Sequence, residues 1–276
     1  MVFLKLFLAL ILTVVLGLLL WRLTDTVRAN AAWSRLASVG ADSVAVFDPA
    51  MVAGLPEPAR RYFNFTIAPG TRLSTVAVIE MDGQLGLGTK DNPKYQPMRA
   101  RQILAPPHGL LWRLNTGMIT GSDAALPETS WTRFWLFHLA PVVRISGDPD
   151  HHRSAFGRVV SEAAFWAPAA LFPSSTVTWE ARGDDVARAT VTFGAFTQWV
   201  DITVGEDGAP LKVVIERWSN ANSDGEYRLQ PFGGLLSEYR TFDGFRVPTR
   251  VDGGNLIDTP DYFPFFRAKV TALEFL

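Results

Sequence analysis

The sequence predicts an α+β fold: a large, curved antiparallel sheet with a few helices on one face and an N-terminal transmembrane helix. Three observations lead to this fold class. An apolar run opens the chain, and closely spaced β-rich segments fill its second half. Asp-Gly pairs typical of hairpin turns separate several of those segments. Parallel strands need crossovers of about a dozen residues, and these segments are too close together for that.

Composition excludes several classes of function. The 276 residues include 26 Lys and Arg against 27 Asp and Glu, so the formal net charge is −1. Such a balance argues against nucleic-acid binding, which usually requires a basic face. The absence of cysteine excludes disulfides, thiolate catalysis and cysteine-ligated metals. We expect no cofactor and no metal.

The N-terminal segment, residues 1–24, has the composition of a membrane anchor. Its only charges before residue 24 are Lys5 and Arg22, and the uncharged run Leu6–Trp21 has 16 residues, about 24 Å as a helix. Snorkelling of Lys5 and Arg22 extends this length towards a bilayer core of about 30 Å. The motif Ala29-Asn30-Ala31 resembles a signal cleavage site but lies well beyond the run. An uncleaved anchor is therefore favoured over a cleaved signal.

This segment also suggests a location. Basic residues flank the apolar run on both sides, so the positive-inside rule does not decide its orientation. An N-terminal apolar segment is the usual export signal. We therefore expect a single-pass protein of the inner (cytoplasmic) membrane with an extracytoplasmic domain.

The remainder divides into an amphipathic connector at 25–47, with Trp33 and Leu36 on one face, and a single curved-sheet domain at 48–276. Asp48 before Pro49 is a helix-start signal, and a second short helix begins near Leu55. Apolar residues at helical spacing predict a helix over 154–166. The aromatic-rich segment 130–143 is predicted to be helical in part.

Alternation of apolar and polar residues predicts the strands. Leu110, Trp112 and Leu114 share one face of a half-buried strand. The consecutive strands predicted after residue 175 are 176–182, 186–194, 197–205, 210–218, 226–230, 236–242, 245–251 and 262–274.

Four segments carry a family resemblance: LPEPARRY at 55–62, SEAAFWAPAALFPSSTVTWE at 161–180, ERW at 216–218 and EYRTFDGFRVPTRVDGG at 238–254. In this order they resemble an uncharacterised bacterial family of membrane-anchored proteins, over roughly residues 50–275. The resemblance implies a curved sheet like that of the periplasmic lipoprotein carriers (LolA-like) and an envelope setting. It implies no catalytic residue.

A curved sheet cannot cover its own concave face, so apolar side chains there would line a cavity unless helices fill it. Aromatic residues in the predicted strands are candidates for such a lining. The candidate ligand-binding residues are Trp112, Trp179, Trp199, Trp218, Glu162, Arg217 and Tyr239. The membrane and a lipid or other hydrophobic ligand are the expected partners. The alternative is that helices plug the concave face completely.

Two polar features allow an enzymatic alternative. The cluster Asp148, Asp150, His151 and His152 offers metal-ligand chemistry, although its Gly-Asp-Pro-Asp sequence favours a solvated loop. Glu162 on the predicted helix could act as a general acid or base if buried. The competing interpretation pairs it with Arg217 or Arg240 on the sheet.

Three functions therefore compete: an envelope protein binding a hydrophobic ligand, a hydrolase or isomerase using Glu162 or the Asp148–His152 cluster, and a scaffold in an envelope complex. No catalytic constellation is recognised, and we favour the binding protein.

Overall fold

The computed structural model describes residues 1–40 and 45–276. The helices are α1 (Val2–Ala37), α2 (Glu57–Thr66) and α3 (Pro149–Trp166), with short 3₁₀ helices at Pro49–Val52 and Pro168–Leu171. The strands are β1 (Ala77–Gly86), β2 (Tyr95–Ala105), β3 (Gly109–Asn115), β4 (Ile119–Ala125), β5 (Ser130–Leu136), β6 (Ala140–Ser146), β7 (Val177–Ala181), β8 (Val186–Phe193), β9 (Phe196–Val204), β10 (Pro210–Ser219), β11 (Arg228–Phe242), β12 (Phe245–Asn255) and β13 (Phe263–Phe275).

The strands form one sheet of 13 strands in the order β6-β5-β4-β3-β2-β1-β13-β12-β11-β10-β9-β8-β7. Neighbouring strands pair antiparallel throughout. The first and last strands meet in the middle, where Ala77 lies opposite Phe275. The chain therefore forms two meanders that share a central pair, and α3 connects their outer edges. The predicted antiparallel α+β fold is confirmed.

The sheet is strongly curved, because the side chain of His152 contacts residues from both halves of it. His152 Nε2 of α3 lies 2.8 Å from the carbonyl oxygen of Leu126, which follows β4. The same imidazole packs edge-to-face against Phe196 of β9 at 4.9 Å. In a flat sheet the eight spacings between β4 and β9 would separate these strands by about 38 Å. The two halves of the sheet therefore bend around α3.

The main core lies on the concave face. Helix α3 packs there against both halves of the sheet, and α2 packs against β7, β8, β9 and β12. Tyr62, Phe63, Trp166 and Phe245 are fully buried. Asp48 caps the 3₁₀ helix that precedes α2, accepting from the Ala50 N–H at 2.8 Å, as its position before Pro49 predicts.

Helix α1 has two parts with different surroundings. Its N-terminal part is exposed, and by length and composition it could cross a membrane, a property shared with signal sequences. From residue 25 onwards, Asp25, Ala29, Ala32 and Leu36 are buried at three- and four-residue intervals, so one face packs on the convex side of the sheet. The helix runs without interruption into the predicted connector, and residues 41–44 of that connector lie outside the described residues.

The prediction that 130–143 is partly helical is wrong, because this segment forms β5, a turn and the start of β6. Its aromatic residues alternate: Trp131 and Trp135 are buried beside α1, whereas Phe134 packs against the concave core. This is a period of two, and aromatic side chains fit a pleated surface well. Pro141 is tolerated because β6 is an edge strand.

Two other boundaries differ from the prediction. The predicted strands 226–230 and 236–242 are one strand, β11, because the intervening Gly233 and Gly234 pair with β10 and β12. The Gly-Asp-Pro-Asp segment begins a helix rather than a loop. Asp148 is the N-cap of α3 and accepts from the N–H groups of Asp150 and His151, which leaves both histidines in the first turn.

Candidate ligand-binding cavity

A cavity of about 260 Å³ lies between α3 and the concave face. This volume is close to the lower end of the range of about 300–1,000 Å³ for small-molecule pockets. Helix α3 therefore fills the concave face only in part. The apolar side chains around the cavity are Leu85, Trp112, Phe134, Phe165, Val213, Phe232, Val251, Phe265 and Phe266.

Glycines on β11 and β12 keep one wall of the cavity free of side chains. Gly233, Gly234 and Gly253 all line it. A Cβ atom added to Gly253 would have its nearest neighbours at 3.7 Å (Gly233 O) and 3.8 Å (Phe266 Cδ1), which is ordinary van der Waals contact. Gly253 also has no positive φ. A larger side chain would therefore enter the cavity without straining the backbone.

One side of the cavity carries a buried ion network centred on Arg158. Its Nε lies 2.5 Å from Glu162, one turn along α3, and its Nη1 lies 2.6 Å from Asp123 on β4. Gln102 of β2 donates to the second oxygen of Glu162 at 2.5 Å, and Thr132 donates to Asp123 at 2.8 Å. Each carboxylate therefore accepts from two donors. These hydrogen bonds and ion pairs offset the desolvation free energy of burying the two charges.

Arg217 of β10 lines the same cavity, but unlike Arg158 its hydrogen-bond partner is a backbone carbonyl and not a carboxylate. Its Nε donates to the Ser154 carbonyl at 3.2 Å, and its guanidinium lies over the Phe232 ring at 4.7 Å. Burial lowers the pKa of Arg217 to about 10, and the neighbouring charge of Arg158 acts in the same direction. The group remains protonated at neutral pH. Among the described residues, no carboxylate forms an ion pair with it.

Gly157 explains how α3 approaches this part of β10. A Cβ atom at this position would lie 3.2 Å from Gln198 Oε1, 3.3 Å from Ile215 Cδ1 and 3.6 Å from Arg217 Cγ. The first two distances are tighter than most Cβ contacts. A side chain at Gly157 would therefore push the helix away from the strands that position Arg217.

Trp112 of β3 forms an aromatic part of the cavity wall. Its ring packs edge-to-face with Phe134 and Phe266, with centroids 6.4 and 6.2 Å away. The Arg158 guanidinium lies 5.3 Å from the ring centroid. The indole N–H is buried and has no hydrogen-bond partner among the described residues. An unpaired buried donor of this kind is costly unless a ligand or water satisfies it.

Three of the seven sequence-predicted ligand-binding residues meet here: Trp112, Glu162 and Arg217. The expected partner of Glu162 was wrong. The structure pairs it with Arg158 and Gln102 rather than with Arg217 or Arg240, because Arg158 lies four residues earlier on the same helix face.

The other four predicted residues lie outside the cavity and have structural partners. Trp179 donates to the Leu171 carbonyl at 2.9 Å, and Trp218 donates to Asp150 at 2.8 Å. Trp199 lies 3.8 Å beneath the Arg188 guanidinium. Tyr239 donates to the Pro210 carbonyl at 2.5 Å.

The side chains of the Asp148–His152 cluster do not converge, because the first turn of α3 directs them to different partners. His151 contacts Ser130 and Thr132 of β5 through its two ring nitrogens, at 2.6 and 3.0 Å. His152 points instead to Leu126 and Phe196. Within residues 1–40 and 45–276, no group of three metal-ligating side chains is found.

Sequence reasoning missed Arg158, Asp123 and the aromatic residues Phe134, Phe232 and Phe266. Spacing could have indicated Arg158, which precedes Glu162 by one helical turn. The curvature of the sheet brings Asp123 of β4 to Arg158 of α3. No sequence pattern around Asp123 indicates this contact.

The C-terminal end of β5, which contributes Phe134 to the cavity, contacts α1 on the convex face of the sheet. Asp25 of α1 accepts from the Trp135 indole at 3.1 Å and forms ion pairs with Arg144 and Arg133. Arg22, at the end of the apolar run, contacts His138 in the β5–β6 turn. Successive residues of a strand point to opposite faces. Trp135 therefore faces α1, whereas Phe134 faces the cavity.

Among solved structures, the chain is similar to a LolA superfamily protein, NE2245, from Nitrosomonas europaea. Sequence identity is 10%, the TM-score is 0.42, and the match covers 79% of this chain and 92% of that chain. No curated protein matches. A family model described as a family of unknown function, DUF6544, matches residues 45–268. The resemblance noted from the four sequence segments is thereby confirmed: the chain belongs to the DUF6544 family.

Proposed function

We propose that this protein is a membrane-anchored binding protein that holds a lipid or another hydrophobic molecule in the cavity between α3 and the sheet. The apolar cavity carries this proposal, because Trp112, Phe232 and Phe266 surround space that a packed core would fill. Small-molecule sites are typically concave and mostly apolar with a few convergent polar groups. The Arg158 network and Arg217 supply the polar groups.

The position of α1 supports a lipid as the ligand. Val2–Trp21 spans about 30 Å as a helix, which matches the hydrocarbon core of a bilayer. Arg22 then contacts the β5–β6 turn, where Phe137 is 67% exposed. A membrane-spanning α1 would hold this end of β5, and the cavity-lining Phe134 beside it, near the bilayer surface. We place the anchor in the inner (cytoplasmic) membrane with the sheet domain extracytoplasmic.

Photolabelling of the full chain in lipid vesicles tests this function. A neutral alkyl chain carrying a diazirine is added, illuminated, and the labelled peptides are identified by mass spectrometry. We expect labelling of peptides containing Phe232 and Phe266, in addition to the α1 labelling that membrane insertion alone produces.

Gly253→Leu is the decisive variant, because its side chain should fill the cavity. We expect labelling of the Phe232 and Phe266 peptides to fall while α1 labelling persists. Gly54→Leu is the matched control, since a Cβ there meets no atom within 4 Å and Gly54 is not in the cavity wall. Wild-type protein labelled only on α1 would contradict the proposed function.

A further inference from the structure

We propose that the hydrophobic ligand carries a single anionic headgroup, a carboxylate or a phosphate, which the guanidinium of Arg217 binds with the Trp112 indole N–H as a second donor. This inference rests on the proposed function and specifies its ligand class. It depends on two donors of the cavity wall that lack acceptors.

The first donor is the terminal part of Arg217. Its Nε is occupied by the Ser154 carbonyl, and the Phe232 ring covers one face of the guanidinium. The terminal nitrogens make no hydrogen bond or ion pair to the described residues. A planar guanidinium offers paired N–H groups that match carboxylate and phosphate oxygens.

The second donor is the Trp112 indole N–H. Trp112 is only 5% exposed, and its indole nitrogen has no hydrogen-bond partner among the described residues. An indole can donate but cannot accept. Both donors therefore require an acceptor, and neither can hydrogen-bond to an ammonium headgroup.

The carboxylates of the cavity do not compete for these donors. Asp123 and Glu162 are each held by Arg158 and by one neutral donor, Thr132 or Gln102. The formal charges of Asp123, Glu162, Arg158 and Arg217 sum to zero, so long-range attraction for an anion is small. Discrimination between headgroups must therefore come from direct hydrogen bonds to Arg217 and Trp112.

Competition against the neutral alkyl diazirine measures headgroup preference in the full chain. Dodecanoate, dodecyl phosphate and dodecanol share one chain and differ only in the headgroup. We expect either anion to protect the Phe232 and Phe266 peptides at a concentration about tenfold or more below that of dodecanol, as charge-assisted hydrogen bonds require. The two anions compared with each other identify whether carboxylate or phosphate is preferred.

Arg217→Met keeps the apolar stem and removes the charge, so the ratio between protection by either anion and protection by dodecanol should fall to about one. Trp112→Phe keeps a ring and should reduce the advantage by a smaller factor. Arg182→Met, on an exposed side chain, should change nothing.

The outcomes separate the two proposals. Equal protection by dodecanol and both anions in the wild-type protein overturns the headgroup inference and leaves the proposed function standing. An anion advantage that survives in Arg217→Met also overturns it. Absence of cavity labelling by the neutral probe, before any competitor is added, overturns the proposed function and this inference with it.

Discussion

Arg158 of α3 and Asp123 of β4 form a largely buried ion pair, with Nη1 and Oδ2 separated by 2.6 Å. The strand and the helix belong to different parts of the chain, so this pair fixes α3 within the curved sheet. The same guanidinium holds Glu162. The ion network therefore determines both the position of the helix and the polar side of the cavity.

Removing the central cation should be strongly destabilising. Arg158→Met leaves Asp123 and Glu162 buried without their common partner, and breaking a buried ion pair in this way costs about 3–5 kcal/mol. The free energy of unfolding, measured in urea, checks this. Arg35→Met is the control, because its ion pair with Glu128 is exposed on both sides and such pairs contribute at most about 1 kcal/mol. Equal losses in the two variants would contradict the role given to Arg158.

Stability should decrease as the pH falls below about 6.5. Burial lowers the pKa of His151 from 6.5, and the positive charges of Arg217 and His152 add to this effect, whereas Asp123 and Asp148 oppose it. The folded protein binds this proton less tightly than the unfolded chain, so protonation favours unfolding. The stabilising effect is fully present above the unfolded pKa and is lost as the pH falls towards the folded one.

The histidine origin of that slope can be isolated. His151→Asn should flatten the dependence of the unfolding free energy on pH between about 5 and 7. Burial also lowers the pKa of His108, which accounts for a residual slope. A slope identical in wild type and His151→Asn would refute the assignment.

The attachment of α1 to the sheet should depend on Asp25. Asp25→Ala leaves Arg133 and Arg144 without the carboxylate that joins them to the helix. The free energy of unfolding should fall by about 3–5 kcal/mol, because a buried ion pair is broken. Limited proteolysis should then cleave the segment around residues 24–37 faster than in wild type. Asp82→Ala is the control, since Asp82 and its partner Arg99 are exposed. Unchanged cleavage of Asp25→Ala would indicate that apolar packing of Ala29, Ala32 and Leu36 holds α1 alone.

The orientation of the domain at a membrane can be measured with single cysteines, because the chain contains none. Phe137→Cys carries an environment-sensitive dye at the β5–β6 turn, beside Arg22. Glu128→Cys places the dye at the other end of the packed part of α1, about 20 Å away from residue 22 along the helix. In vesicles we expect a blue-shifted emission at position 137 and no shift at 128. The reverse pattern would contradict the proposed orientation.

Local patterns in the sequence predicted most of the strands, because each hairpin is defined by alternation and a turn within a few residues. Asp207-Gly208 and Asp243-Gly244 do separate β9 from β10 and β11 from β12. The failure at 130–143 arose from aromatic density, which hid the alternation of Trp131, Phe134 and Trp135 between the two faces.

The cavity was only partly predictable for a different reason. Trp112, Glu162 and Arg217 could be selected from their residue types and strand or helix positions. The contact between Arg158 and Asp123 depends on how far the sheet bends, and so does the separation of Trp199 and Tyr239 from the cavity. Curvature is a property of all 13 strands together and is not encoded in any one segment.

Native mass spectrometry of the full chain, released from detergent after purification from cell membranes, tests the central claim most directly. We expect wild type and Gly54→Leu to retain a bound hydrophobic molecule at one per chain, and Gly253→Leu to be empty. Wild-type protein that carries no such molecule, or Gly253→Leu that retains it at the wild-type level, would contradict binding in the cavity.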